Sequence, residues 1–263
     1  MMNISQAIFL GIVQGLTEFL PISSSGHLVF FQSLFGMEEP QLLFDVMVHF
    51  GTLFAVIIYF RRDLLGIIRG IGSSITGEKN GEGAKLLLLI IIASIPTGFM
   101  GLLCKDWFET LFSKPTIVGV MLLITGSILY LTRWAKKEKR FLGKMRWSDA
   151  ILIGIAQGIA IIPGISRSGA TISMGLFCGL NRELAGRFSF LLSIPAILGA
   201  TFLEIRKVQS VSEISLSLIG MVVAFGAGLL SLTVLMRIIK TGNISNFSYY
   251  CWAIGLLMLF LVR

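Results

Sequence analysis

Gly11-Ile-Val-Gln-Gly15, followed by Pro21-Ile-Ser-Ser-Ser-Gly-His27, has a second version in the same chain: Gly154-Ile-Ala-Gln-Gly158, followed by Pro163-Gly-Ile-Ser-Arg-Ser-Gly169. One offset, 143 residues, aligns both the glycine pentapeptides and the Ser23–Gly26 and Ser166–Gly169 turns. The prolines lie one register apart, and Phe44-Asp-Val-Met-Val corresponds loosely to Phe188-Ser-Phe-Leu-Leu. One matched pentapeptide is weak; two matches at one offset with similar hydropathy mark an internal repeat. Working outward, each half opens with an apolar helix (about 5–20 and 149–162), which a proline then breaks. A Ser/Gly turn and a short second helix follow (about 25–36 and 168–180). Three longer spans complete each half: about 42–60, 86–104 and 116–133, then 186–203, 214–236 and 247–262.

Composition agrees with a polytopic membrane protein. The 263 residues are 55% hydrophobic and 14% charged, with a mean hydropathy of +0.86; a soluble domain carries about 25% charged residues. A hydrocarbon core about 30 Å thick needs about 20 apolar residues in a helix. No cleavable signal peptide is expected, because Met1–Gln6 are uncharged and Gln14 and Glu18 interrupt the apolar run after them. The three cysteines, Cys104, Cys178 and Cys251, lack metal or redox spacing and read as small packing residues.

The opening pair of helices in each half is too short and broken for two ordinary spans. It reads as a re-entrant hairpin, whose irregular backbone is tolerated only within protein or along a wet cavity. Each half then crosses three times, and an odd number of crossings turns the second half upside down. The expected fold is therefore all-α, one membrane domain over 1–263. Its inverted repeats cover 1–133 and 149–263, each a re-entrant hairpin plus three transmembrane helices, with a polar site where the broken helices meet. The net charge of +8 fits this plan and argues against nucleic acid. Loops 61–85, 133–146, 182–187 and 237–240 hold 16 Lys/Arg; the opposite face holds Lys105, Lys114, Arg206, Lys207 and Arg263. Basic loops face the cytoplasm and anionic lipid, so both termini are expected outside. The Gly-rich stretch 220–228 suits close helix packing within one chain or between two, leaving a homodimer open.

Ionisable groups at membrane depth are costly and default to function. The candidates are Glu18, His27, Asp45, His49 and Arg167. Gln14 and Glu18 share a helix face and offer oxygen ligands to a hard cation, Mg²⁺ or Ca²⁺; the plainer reading is a buried pair bonding the turn. Ser23, Ser24, Ser25 and Gly26 at a helix start form a phosphate cradle or ordinary N-caps. His27 is close enough to act as base or acid toward a serine or water. In the second copy Arg167 replaces Ser24, and an arginine fork suits phosphate; Ser166, Ser168 and Thr171 add donors. The competing role for Arg167 is an internal salt bridge with Glu18, for which a ligand would compete. Asp45 and His49 read equally as supporting groups or as residues near the interface. Joined at the midplane, the two tips make a site for phosphate plus a divalent cation, in surroundings that suit a long lipid tail.

Gln14-x-x-x-Glu18, Pro21–His27 and Pro163–Thr171 together resemble the bacterial undecaprenyl-diphosphate phosphatase family, over essentially the whole chain. Glu or Gln is within that family's pattern at position 14, and Gln removes one negative charge from the cation site. The resemblance implies hydrolysis of undecaprenyl diphosphate in the bacterial plasma membrane, recycling the lipid carrier of cell-wall synthesis, and bacitracin resistance. It implies that Glu18 with Gln14 holds the cation. Arg167, with Ser166, Ser168 and Thr171, would bind the diphosphate. Ser24 becomes the leading nucleophile, and His27 activates it or water. Three other readings compete. A lipid-phosphate transporter or flippase shares the inverted-repeat signature but needs neither nucleophile nor base. The type-2 phosphatidic-acid phosphatases expect a His six residues after the Arg, where this chain has Ser173. A scaffold leaves Glu18, His27 and Arg167 without a purpose in lipid.

Overall fold

The computed structural model describes residues 2–37, 41–76, 81–104, 107, 110–111, 114–135, 140–204 and 214–261. Lys105, Arg206, Lys207 and Arg263, which entered the charge argument, lie outside the described residues, as do Lys79, Lys136, Lys137 and Lys139. Among the described residues there are eleven α-helices and no strand beyond one isolated bridge, Arg140 to Leu180. The helices are α1 (Ile4–Phe19), α2 (Ser24–Leu34), α3 (Leu42–Tyr59), α4 (Arg61–Thr76), α5 (Glu82–Leu103), α6 (Pro115–Leu131), α7 (Trp147–Ile159), α8 (Arg167–Phe177), α9 (Arg182–Glu204), α10 (Ile214–Thr241) and α11 (Phe247–Leu261).

Five helices are long and apolar enough to cross a membrane: α3, α5, α6, α9 and α10. The chain is a multi-pass, all-helical membrane protein. The sixth expected span, 247–262, is shorter: a 3-10 turn leads into α11, and the apolar stretch covers Ile244–Phe260. The supposed loop 61–85 contains α4, a correction to the sequence reading. Leu64 and Ile67 of α4 pack inward while Arg61, Arg62 and Arg69 are exposed. A search for long uncharged runs passes over such an amphipathic helix. Gly70 and Gly83 let α4 lie directly on the first turn of α5: a Cβ at Gly70 would come within 2.7 Å of the Ala84 amide, and one at Gly83 would run into the Gly66 carbonyl.

The helices pair across the two halves of the chain. α1 and α3 pack on α10, α7 packs on α5, and α6 packs on α11. Small residues make these approaches possible, as expected where helices meet without a hydrophobic drive. A Cβ at Gly15 would lie 2.6 Å from the Ala224 carbonyl, and one at Gly255 would lie 2.9 Å from that of Gly119. Phe19, Phe60, Phe188 and Phe190 fill the centre of the largest apolar cluster.

α1–α2 and α7–α8 are hairpins whose two ends lie together. Phe9 near the start of α1 meets Phe31 and Phe35 at the end of α2, ring centroids 4.9 and 5.6 Å apart. Arg140 joins the ends of the other hairpin: its guanidinium forks to both Asp149 carboxylate oxygens at 3.0 Å and also donates to the Cys178 carbonyl. The basic loops gather at this second base. Asp63 pairs with Arg187, Lys85 donates to the Gly143 carbonyl at 2.7 Å, and Lys240 pairs with Glu183 at 2.7 Å. The first base lies at the other end of the bundle, where Gln32 of α2 donates to Asp45 in the first turn of α3 at 2.7 Å.

Candidate active site

The two hairpins touch at their tips. α1 stops because Leu20 is extended (ψ 141°), the conformation favoured before Pro21. Ser23 then takes φ +68°, the one non-glycine residue with positive φ among the described residues. Such a backbone costs about 1–2 kcal/mol and concentrates at functional sites. Ser23 caps α2 by accepting from the Gly26 amide at 3.4 Å, and its Oγ lies 3.3 Å from Ser25 Oγ. In the second hairpin Gly164 takes the positive φ, +92°. Ser166 caps α8 from the Gly169 amide at 3.1 Å, with Ser168 Oγ at 3.2 Å. The N-cap reading therefore holds for Ser23, and Ser166 plays the same part at the second turn.

Glu18, 8% exposed, is the centre of the junction. Its Oε2 accepts from Gln14 Nε2 at 3.0 Å and from Ser24 Oγ at 2.5 Å. Its Oε1 accepts from Arg167 Nη2 at 2.5 Å. The internal salt bridge is therefore present. His49 Nε2 stands 3.8 Å from Glu18 Oε2, while its Nδ1 donates to the Asp45 carbonyl at 2.6 Å. Ser168 Oγ donates to the Leu20 carbonyl at 3.3 Å, a second link between the tips. Ser166, Ser168 and Thr171 are buried, and Thr171 Oγ is shared between the Arg167 carbonyl (2.7 Å) and Ser189 Oγ (2.6 Å).

His27 is buried and turned away from Ser24. Its Nδ1 lies 2.7 Å from the Ser23 carbonyl and its Nε2 lies 2.9 Å from the Tyr250 hydroxyl. A carbonyl only accepts, so Nδ1 carries a proton. The acceptor facing Ser24 is Glu18 rather than the imidazole.

Two polar atoms at the junction are buried without a hydrogen-bond partner, and they are of opposite kind: Gln14 Oε1, an acceptor, and Arg167 Nη1, a donor. Native structures rarely leave such groups unpaired. An acceptor beside a carboxylate suits a cation, and a guanidinium N–H suits an anion. No group of three or more His, Cys, Asp or Glu side chains gathers as a metal cluster among the described residues. The oxygen-rich set of Glu18, Gln14 and Ser24 fits a hard cation that keeps several waters, and is too sparse for an all-protein cage.

Residues 7–257 match the family model of bacitracin resistance protein BacA. The chain belongs to that family. It is 46% identical to undecaprenyl-diphosphatase of Carboxydothermus hydrogenoformans, covering 99% of this chain and 98% of the relative. It is 44% identical to the enzymes of that name from Desulfatibacillum aliphaticivorans, covering 95% of each chain, and Korarchaeum cryptofilum, covering 99% and 100%. Membership spans both hairpins and every helix that carries them. Sequence reasoning passed over three residues that hold the hairpins of this BacA-family chain. Tyr250 bonds His27, Cys251 Sγ donates to the Pro21 carbonyl at 3.5 Å, and Thr125 Oγ1 donates to the Gly164 carbonyl at 2.9 Å while accepting from the Ser166 amide at 3.1 Å. Each hairpin is thus held by the last helix of the other half. A tyrosine at a helix end reads as an interfacial anchor, and a threonine or cysteine in an apolar run reads as filler.

Proposed function

We propose that this protein hydrolyses undecaprenyl diphosphate to undecaprenyl phosphate and inorganic phosphate, and thereby gives bacitracin resistance. The observation that carries the reading is the pair of buried, unsatisfied groups at the hairpin tips, Gln14 Oε1 and Arg167 Nη1. A diphosphate with a divalent cation satisfies both, and relatives over 40% identical carry the name of that activity. Arg167 binds the terminal phosphate and stabilises the charge that builds in the transition state. Ser24 Oγ attacks phosphorus and passes its proton to Glu18, the acceptor it already faces at 2.5 Å. The bond to the bridging oxygen breaks, releasing undecaprenyl phosphate; water, giving up a proton to His27 Nε2, then frees phosphate from the serine while Glu18 returns the serine's proton. Ser23, Ser25 and Gly26 line the phosphate side of the turn, with Ser166, Ser168 and Thr171 shaping the opposite tip. Glu18 and Gln14 would hold Mg²⁺ or Ca²⁺, which when bound neutralises phosphate charge.

The same reading sets the protein in the bacterial plasma membrane as two inverted repeats, 1–133 and 149–263, with both hairpins re-entrant. Its support is the closed base of each hairpin, the placement of the two bases at opposite ends of the bundle, and the basic loops gathered at one of them. That end is cytoplasmic, and both termini lie outside.

The test is phosphate release from undecaprenyl diphosphate by detergent-purified protein, with Mg²⁺ or Ca²⁺, with chelator, and with Ser24→Ala and Glu18→Ala. Cation-dependent release that both substitutions abolish is the expected result. A folded protein that binds the lipid without releasing phosphate is a transporter instead.

A further inference from the structure

We propose that Tyr250 is a positioning residue for His27, making Nε2 the one nitrogen through which that imidazole exchanges protons. The inference rests on the phosphatase reading for its kinetic consequence, but not for its geometry. Both ring nitrogens of His27 are accounted for. Nδ1 is pinned as a donor on the Ser23 carbonyl at 2.7 Å. In the neutral ring Nε2 has only its lone pair, and the group facing it is the Tyr250 hydroxyl at 2.9 Å. A phenol both donates and accepts. It donates to Nε2 while the ring is neutral and accepts from it once a proton arrives, so the ring need not turn between the two states. The rings also stack, 9° from parallel with centroids 5.7 Å apart, which fixes the imidazole plane.

Tyr250 is itself well placed to hold a position. It stands in α11, which packs along α6. Its neighbour Cys251 is buried and reaches the Pro21 carbonyl at 3.5 Å. Two consecutive residues of the second half therefore grip the first hairpin, one at its proline and one at its imidazole. The hydroxyl contact spans 223 residues of sequence, so it reports the docking of the halves and not a local turn.

Tyr250→Phe removes the hydroxyl and keeps the stacked ring. Two measurements on the full-length protein in detergent decide the matter. The first is the imidazole ¹⁵N spectrum, in which the chain's two histidines are told apart by a His49→Asn sample. The second is steady-state hydrolysis of undecaprenyl diphosphate. The Nε2 resonance of His27 is expected to move in Tyr250→Phe and to stay in place in Cys251→Ala, which loosens the same helix without touching the hydroxyl. Turnover is expected to fall about 10- to 100-fold, the size of a misplaced reacting group, with KM within about twofold. An unmoved Nε2 resonance, or an equal shift in Cys251→Ala, overturns the assignment. So does a moved resonance with full turnover. Wild-type protein that releases no phosphate defeats the phosphatase reading, and the resonance alone then judges the pair.

Discussion

The turn at Ser23 and the turn at Ser166 share a frame and divide the chemistry. α2 and α8 begin 143 residues apart, each runs for 11 residues, and each is capped by the preceding serine with a second serine hydroxyl near 3.2–3.3 Å. Three positions differ in the chemistry they carry. Glu18, Ser24 and His27 of the first copy are Ile161, Arg167 and Ala170 in the second. One tip therefore carries the carboxylate, hydroxyl and imidazole, and the other carries the cation that pairs with the carboxylate. A duplicated hairpin that kept identical tips would set Glu18 against a second carboxylate, a costly pairing at membrane depth. The difference between the copies is what lets the tips close on each other.

The sharpest way to break this asymmetry is to write the first copy into the second. Arg167→Ser gives both turns the same residue and leaves Glu18 without its partner. Hydrolysis is expected to fall by about 10³-fold or more, the scale of removing a transition-state donor. Stability is expected to fall as well, because an unpaired buried charge costs about 3–5 kcal/mol. Arg167→Lys retains charge but not the fork, and is expected to restore stability better than turnover. Equal activity in all three proteins would remove Arg167 from the site.

The second difference is in the backbone. The first turn places its positive φ on Ser23, the second on Gly164. Gly164 has no room for change: a Cβ there would lie 2.8 Å from Met121 Cβ and run into the Val118 carbonyl. Gly164→Ala is expected to lower stability by at least about 2 kcal/mol through the combined backbone and packing cost, read as an earlier unfolding midpoint in detergent. A midpoint equal to wild type would mean that the second hairpin does not hold this turn.

Gln14 and Gln157 sharpen the comparison on the cation side. Both glutamines are buried, and both leave Oε1 unpaired. Beside Gln14 stands Glu18; the position matching Glu18 in the second copy is Ile161. Gln14→Glu adds a second carboxylate against the first. It is expected to lower the half-activating concentration of Mg²⁺ or Ca²⁺ about 10-fold and to destabilise the protein in chelator, where two like charges face each other. Gln157→Glu is expected to destabilise too, by burying an unpaired charge, but without the gain, since nothing there completes a site. A gain of cation affinity from Gln157→Glu would place the site elsewhere.

Much of this asymmetry is legible in the amino-acid sequence. Glu18, Arg167 and the serine turns stand out because charge and hydroxyl clusters are conspicuous among apolar residues, and the repeat aligns them. Both roles considered for Arg167 use the same geometry, and the salt bridge to Glu18 is the one seen. Two features are not legible there. α4 mixes Arg61, Arg62 and Arg69 with Leu64 and Ile67, so its apolar stripe disappears in a search for long uncharged runs. The partner of His27 is hidden for another reason. Tyr250 is 223 residues away, and no local pattern marks a contact made only when two halves dock.

The smallest effect isolates the strain itself. Replacing Ser23 by Ala or by Gly loses the same hydroxyl cap, but only Ala keeps the cost of a side chain at φ +68°. Ser166 sits at φ −72°, where any residue is at ease. Gly outperforms Ala at an N-cap in its own right, so Gly is expected to be the more stable choice at both sites. That advantage is common to both and cancels when the two Ala-to-Gly differences are subtracted. What survives is the left-handed cost at Ser23, about 1–2 kcal/mol, measured from the unfolding midpoints of four single variants. Equal differences at the two sites would show that the first turn carries no strain. Its serine would then differ from Ser166 only in what lies around it.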